Sequence, residues 1–245
     1  MRVLLLGGTS EARALAGRLH PEVEVISSLA GRVPDPALPV GPVRIGGFGG
    51  ADGLRNWLAD NDINAVVDAT HPFAATITAH AARACAELGV THVVLSRPPW
   101  AVAGALAVDS DAHAAEVVAD QGYSRVFLTS GRSGVSAYRD SDAWFLIRMV
   151  TPPDPVTLPR KNRLVLSRGP YRYDDEHALM AENGVQAVVT KNSGGAMTRA
   201  KLDAAQDLGV DVVMIRRPPL PAGVEVVGSV DHAEAWVLSR DNAAG

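Results

Sequence analysis

The sequence predicts an α/β protein of two three-layer lobes, each a parallel sheet between helices, with an active-site cleft between the lobes. Three observations carry this. Short apolar runs alternate with helical patterns along the whole chain, as crossovers between parallel strands require. The first run, Val3 to Leu6, enters a glycine turn and then a helix, which is how a Rossmann-like unit opens. The two halves also align without a gap at a separation of 120 residues. Leu88-Gly89-Val90 matches Leu208-Gly209-Val210, Arg97-Pro98-Pro99 matches Arg217-Pro218-Pro219, Thr70 matches Thr190, and Asp111 matches Asp231.

Each element has its own warrant. Val3 to Leu6 is continuously apolar, as a strand buried on both faces must be. "SEARALAGRL" follows with helical periodicity, and Ser10 is available as its cap. Val23 to Ser27 is a second strand, and residues 30–42, rich in Gly and Pro, are loop. "VRIGGFGG" is a short third strand running into glycines, "ADGLRNWLADN" a helix, and "INAVVDAT" a fourth strand. Pro72 is expected at the first position of the next helix, where its missing N–H costs nothing. That helix presents Phe73, Ile77, Ala81, Ala84 and Leu88 at spacings of three and four, a core-facing stripe that Cys85 flanks. "THVVLS" is the fifth strand. In the second half, "RVFLTS", "AWFLIRMV", "NRLVLS", "VQAVVT" and "DVVMIR" repeat the series. The Pro pairs stop each lobe's last strand, which places the boundary near residue 100, with lobes 1–99 and 100–245.

Composition excludes several function classes. The 245 residues are 47% hydrophobic and 20% charged, with a net charge of −4. This is a globular balance, and its sign opposes general nucleic-acid binding. A single cysteine allows no disulfide framework and no thiolate metal cluster. The seven histidines form no ligand-spaced cluster, so no metal site is expected. No apolar run approaches a membrane span, and "MRVLLLGG" is too short for a signal peptide. A cytoplasmic monomer or weak dimer is expected.

The candidate site residues lie at strand ends, where open α/β sheets place ligands. In "LLLGGTSEARALA", Gly7 permits the turn, Gly8 lets the backbone approach a pyrophosphate, and Thr9 and Ser10 add hydroxyls. Thr9 stands where the dinucleotide fingerprint has its second glycine, so the motif is incomplete. The second strand ends in Ser27 and Ser28, with Arg32 beyond, and lacks the acidic residue that meets a free ribose diol. Hydroxyls and a guanidinium suit a 2′-phosphate, hence NADPH. Gly47, Phe48 and Gly49 of "GGFGG" leave room for a flat ligand. Thr70 and His71 end the fourth strand, and the gapless alignment sets His71 opposite Lys191. "TSGRSG", with Ser130, Gly131 and Arg132, and "TKNSGG", with Lys191, Asn192 and Ser193, are candidate anion nests. Tyr171 and Tyr173 either stack on a flat ligand or cover the lobe. The chain lacks a G-x-S-x-G nucleophile elbow and the Tyr-x-x-x-Lys pair of extended nucleotide-sugar enzymes. A non-catalytic nucleotide-binding regulator is the remaining alternative.

Taken in order, "LLLGGTSEARALA", "SLAGR", "GGFGG", "VVDATHPFA", "RPPW", "TSGR" and "TKNSGG" resemble the precorrin-6A reductase family of cobalamin biosynthesis over nearly the whole chain. The resemblance implies reduction of one ring double bond of a tetrapyrrole by a reduced nicotinamide cofactor: NADPH with the metal-free precorrin of the aerobic route, with NADH-dependent reduction of the cobalt-containing compound, the substrate of relatives in the anaerobic route, as the alternative. It also implies two α/β lobes with the active site between them; lobe 1–99 is expected to bind the dinucleotide, and lobe 100–245 the substrate and part of the cofactor. A polycarboxylate substrate needs basic clamps. Arg97, Arg132 and Arg168 are the candidates, while Arg199 and Lys201 are expected at the surface and Arg217 in a structural role. His71 and Lys191 are the expected catalytic residues, with the proton coming from His71 or from water.

Overall fold

The computed structural model describes residues 1–31 and 37–244. The elements run β1 (Arg2–Leu6), α1 (Ser10–Leu19), β2 (Glu24–Leu29), β3 (Val43–Ile45), α2 (Gly50–Asp60), β4 (Ala65–Asp68), α3 (Ala75–Leu88) and β5 (Thr91–Leu95). They continue with β6 (Leu106–Val108), α4 (Asp111–Asp120), β7 (Arg125–Leu128), β8 (Trp144–Met149), β9 (Asn162–Leu166), α5 (Tyr173–Glu182) and β10 (Ala187–Lys191). The last are α6 (Ala200–Asp207), β11 (Asp211–Ile215), β12 (Glu225–Val227) and α7 (Val230–Ala244). Two six-stranded parallel sheets result, in the orders β12-β5-β4-β1-β2-β3 and β6-β11-β10-β7-β8-β9.

Alternation along the strands builds the layers. Val3, Leu5, Val67 and Val93 meet Leu15, Leu19, Trp236 and Val237 on the α1 and α7 face. Leu4, Leu6 and Val66 meet Leu54, Leu58, Ala81 and Cys85 on the α2 and α3 face. Burial raises the Cys85 thiol to about 12, with the Asp68 carboxylate adding to it, so the residue is inert core. In the second sheet, Phe127, Leu146, Val188 and Met214 pack beneath Met180, Leu202 and Ala205 of α5 and α6.

The compact units are Met1–Pro98 with Pro218–Gly245, and Pro99–Arg217. The second lobe therefore stops short of residue 245. Val226 pairs with Val94, and α7 supplies Ala233, Trp236 and Val237 to the first unit's core. Each sheet takes its sixth strand from the chain leaving the other sheet: β6 follows β5 and pairs with β11, while β12 follows β11 and pairs with β5. Both strands are three residues long, below what alternation in a sequence reveals.

Sheet register also corrects the gapless alignment. Asp68 pairs with Val94, and Thr190 with Met214, the residue 120 positions beyond Val94. Thr190 therefore occupies the place of Asp68, not of Thr70. Lys191 then corresponds to Ala69, and His71 to Ser193. The segment crossing from β10 to β11 is two residues shorter than its counterpart, which absorbs the shift. The same register makes Ser130 and Gly131 the equivalents of Gly7 and Gly8.

Candidate functional site

In the first unit, the β1 turn reaches α1 through Gly8, whose φ of 113° belongs to the region that glycine alone enters freely. A Cβ at Gly8 would meet nothing within 4 Å, so the backbone face there is open. Thr9, not Ser10, is the helix cap: its hydroxyl accepts from the Ala12 amide at 3.1 Å and donates to the Ala69 carbonyl at 2.7 Å. One side chain thus ties the α1 mouth to the end of β4. Ser10 donates to Glu11 at 2.9 Å, and Arg97 pairs with the same carboxylate oxygen at 2.8 Å. Arg97 therefore neutralises an acid at the helix mouth, and Glu11 is a partner that the sequence reading did not find.

Beyond β4, Asp68 is buried and its Oδ1 accepts from the Thr70 amide at 3.0 Å and the Thr70 hydroxyl at 2.6 Å. Its Oδ2 has no hydrogen-bond partner among the described residues. Nearby, burial pushes the His92 imidazole below its usual range, against the pull of Asp68. Pro72 does not open α3. The Ala74 amide donates to the His71 carbonyl at 2.7 Å, closing a turn in which Pro72 takes the position that favours proline, and the helix begins at Ala75. His71 is exposed, and its Nδ1 accepts from the Phe73 amide at 3.3 Å, so the neutral ring carries its proton on Nε2.

The corner after β2 and β3 holds a residue missing from the sequence reading. Arg44 Nη1 donates to Ser28 Oγ at 3.0 Å and to the Gly46 carbonyl at 2.9 Å, and Nη2 donates to the Gly47 carbonyl at 2.9 Å. Its guanidinium carbon lies 3.7 Å from the Phe48 ring centroid, a cation–π contact. Burial alone pushes this guanidinium below the ordinary arginine range. Phe48 packs edge-on against Trp57, and Gly53 lets the loop lie on α2, since a Cβ there would fall 1.7 Å from the Phe48 carbonyl oxygen. Arg32 lies outside the described residues. Gly7 to Ser10, Gly47 to Gly49, Thr70 and His71 follow the carboxyl ends of strands in this one sheet, and Ser28 is the last residue but one of β2.

In the second unit, Gly131 has a φ of 83°, and the Ser130 hydroxyl is buried with no partner among the described residues. Arg132 and Arg168 are exposed. Lys191 Nζ lies 3.2 Å from Ser133 Oγ and 3.8 Å from Asp111 Oδ2. Burial, reinforced by Asp111, pushes the neighbouring Tyr138 hydroxyl far above its usual range. Asn192 departs from a substrate-binding role. Its side chain accepts from the Trp100 amide at 2.8 Å and donates to the Trp100 carbonyl at 3.0 Å, which occupies it in fixing the chain. Ser193 donates weakly to the Lys191 carbonyl at 3.4 Å. Arg217 braces the loop through the Asn192 carbonyl at 2.8 Å and the Ser193 carbonyl at 3.0 Å. Beside Trp100 an open groove of about 590 Å³, lined by Val102, Ala105, Met214 and Arg216, includes none of the expected anion nests except Asn192.

Lys201 also corrects the sequence reading: it is 3% exposed, its amine donates to the Thr198 carbonyl at 2.6 Å, and it lies 4.7 Å from the Trp100 ring. Burial, helped by repulsion from Arg148, lowers it to about 7. Arg148 is itself buried against both oxygens of Glu176 and stacks on Tyr171. Tyr171 donates to the Ser167 carbonyl and Tyr173 to Asp207, so both cover their own unit. Arg199 forms a surface pair with Asp203, as expected. Among the described residues, no helix is long and apolar enough to cross a membrane, and no three His, Cys, Asp or Glu side chains group as a metal site.

A family model described as "Precorrin-6x reductase CbiJ/CobK" matches residues 2–238. A Mycobacterium tuberculosis (strain ATCC 25618 / H37Rv) protein named Precorrin-6A reductase is 68% identical over 236 residues, 96% of this chain and 97% of that one. A Rhodococcus erythropolis protein of the same name is 55% identical over 245 residues, with 96% and 97% covered. A solved structure described as "CobK precorrin-6A reductase" matches with a TM-score of 0.89 at 39% identity, over 98% of this chain and 96% of that chain.

Proposed function

The chain belongs to the Precorrin-6x reductase CbiJ/CobK family, and from that premise we propose that it reduces a ring double bond of precorrin-6A, with NADPH as reductant. When bound, the reduced nicotinamide supplies a hydride to one ring carbon, and a proton adds to the adjacent carbon, giving precorrin-6B and the oxidised cofactor. The metal-free substrate is favoured because the relatives at 68% and 55% identity carry its name.

The observation that carries the cofactor reading is the α1 mouth. Gly8 leaves its backbone face open, the Thr9 hydroxyl satisfies the Ala12 amide, and the amides of the first turn point where a pyrophosphate is stabilised. Glu11 would oppose an anion there, and Arg97 cancels that charge. Ser28, in place of an acidic residue at the end of β2, supports a 2′-phosphorylated cofactor. Gly47 to Gly49 and Thr70 edge the same site. In the second unit, Ser130 to Arg132 and Arg168 bind substrate carboxylates, and Lys191, held by Asp111 and Ser133, faces the macrocycle. His71, in its imidazolium form, delivers the proton and returns to the neutral ring.

The test is turnover. Purified protein with precorrin-6A and NADPH should consume reduced cofactor in proportion to precorrin-6B formed, faster than with NADH. Cofactor binding with no turnover of any reduced tetrapyrrole would instead identify a regulator.

A further inference from the structure

We infer that Arg44 is the anion site for the 2′-phosphate of the cofactor, an inference that rests on the NADPH reading above and supplies its specificity residue. Three hydrogen bonds, to the Ser28 hydroxyl and the Gly46 and Gly47 carbonyls, hold the guanidinium in place, and the Phe48 ring supports its face. All three acceptors are neutral. No carboxylate pairs with Arg44 among the described residues, although it is the cation on which the whole glycine loop is hung. Among the described residues nothing takes its Nε–H or one Nη2 hydrogen, the donors with which arginine grips phosphate. The group is thus oriented before any ligand arrives, which lowers the entropic cost of recognition.

The second unit provides an internal comparison. In sheet register, Arg148 stands in the place of Ser28, since Ser28 pairs with Leu6 and Ile147, the preceding residue, pairs with Leu128. There too a guanidinium lies against an aromatic ring at the strand end, but Glu176 grips it on both nitrogens and buries it. The corner with a carboxylate is closed, and the corner without one stays partly open to solvent. A partly buried cation with neutral tethers is stabilised by an incoming anion, because that anion replaces the counter-charge the fold leaves out. Topology supplies the identity of the anion. Arg44 stands beside the end of β2, next to the strand whose turn opens α1, where a dinucleotide's adenosine ribose sits when its pyrophosphate meets the helix mouth.

The test uses Arg44→Gln and Arg44→Lys in the full chain, with calorimetric titration of NADP⁺, NAD⁺, 2′,5′-ADP and 5′-AMP, and a KM for precorrin-6A. Arg44→Gln should weaken NADP⁺ and 2′,5′-ADP by about 10- to 100-fold while changing NAD⁺ and 5′-AMP by less than about threefold. Arg44→Lys, which keeps the charge and loses the fork, should fall between Arg44→Gln and the native protein. Equal weakening of both cofactors would reduce Arg44 to a loop brace and overturn the inference. An NADP⁺ preference that survives in Arg44→Gln overturns it also, as does a change confined to the KM for precorrin-6A. A native protein with no preference for NADP⁺ over NAD⁺ would overturn the cofactor reading itself, and Arg44's role with it.

Discussion

Lys201 shows how one buried charge shapes the pH response of the molecule. Its amine is lowered to about 7 from an ordinary 10.5, so between those values the unfolded chain binds more protons than the folded one. Stability should therefore rise with pH across that window and fall as pH drops toward 7. The Lys201→Met variant should lose this slope and gain on the order of 2–4 kcal/mol relative to the native protein near neutrality. Chemical denaturation at a series of pH values checks this, and identical slopes in both proteins would refute it. His71 lies at the surface instead. If its Nε2 supplies the proton, His71→Asn should lower kcat by about 100-fold or more and flatten the pH profile of single-turnover cofactor oxidation. A variant with native kcat and profile would transfer that role to water. For Arg132 and Arg168, alanine should raise the KM for precorrin-6A and leave cofactor affinity nearly unchanged, since both residues belong to the second unit. Weak cofactor binding with a native KM would reassign the residue concerned.

At the scale of elements, the site depends on how closely loops lie against helices. The Phe48 carbonyl oxygen sits where a Cβ of Gly53 would be, 1.7 Å away, and both belong to rigid backbone. Gly53→Ala should therefore displace the glycine loop from α2 and carry Phe48 and the Arg44 tethers with it. The expected cost is about 1–3 kcal/mol of stability, as for other overpacked sites, together with weaker binding of both NADPH and NADH. Thermal unfolding and cofactor titration measure the two effects, and a variant native in both would show that the loop is not seated by this contact. The same principle explains the turn at Pro72. The Ala74-to-His71 hydrogen bond delays α3 and leaves His71 on a turn, exposed, where a helix begun at Pro72 would have made it the N-cap residue.

For the whole molecule, the exchange of sixth strands makes each unit depend on the other half of the chain. A chain ended after Arg217 lacks β12 and α7, and with them Ala233, Trp236 and Val237 from the core beside α1. It should not unfold as a cooperative native protein. The milder Trp236→Ala, at a side chain 6% exposed, should cost about 3–5 kcal/mol. Calorimetry on both variants tests the dependence. A shortened chain that unfolds cooperatively and binds cofactor normally would mean that the first unit does not need its returning segment.

The sequence by itself determined the parallel sheets, the doubled architecture and the loops that follow the strands. Apolar runs such as Val3 to Leu6, glycine turns and Pro pairs are local signals that neighbouring residues encode. The glycine turn after β1 was legible in this way, although its positive φ falls at Gly8 and not at Gly7, the residue expected to make the turn. Only the tertiary structure decided which sheet received β6 and β12, because three-residue strands have too little pattern to reveal a partner. It also decided that Thr190 stands in register with Asp68, since a two-residue difference in a connecting segment is visible only once strands pair. Charges were the least legible. Lys201 and Arg44 are both basic residues close to loops, but one is buried under Trp100 and the other is tethered beside Phe48. Their surroundings come from residues distant in the chain, and a side chain's charge state and exposure follow from those contacts, not from its own position in the sequence.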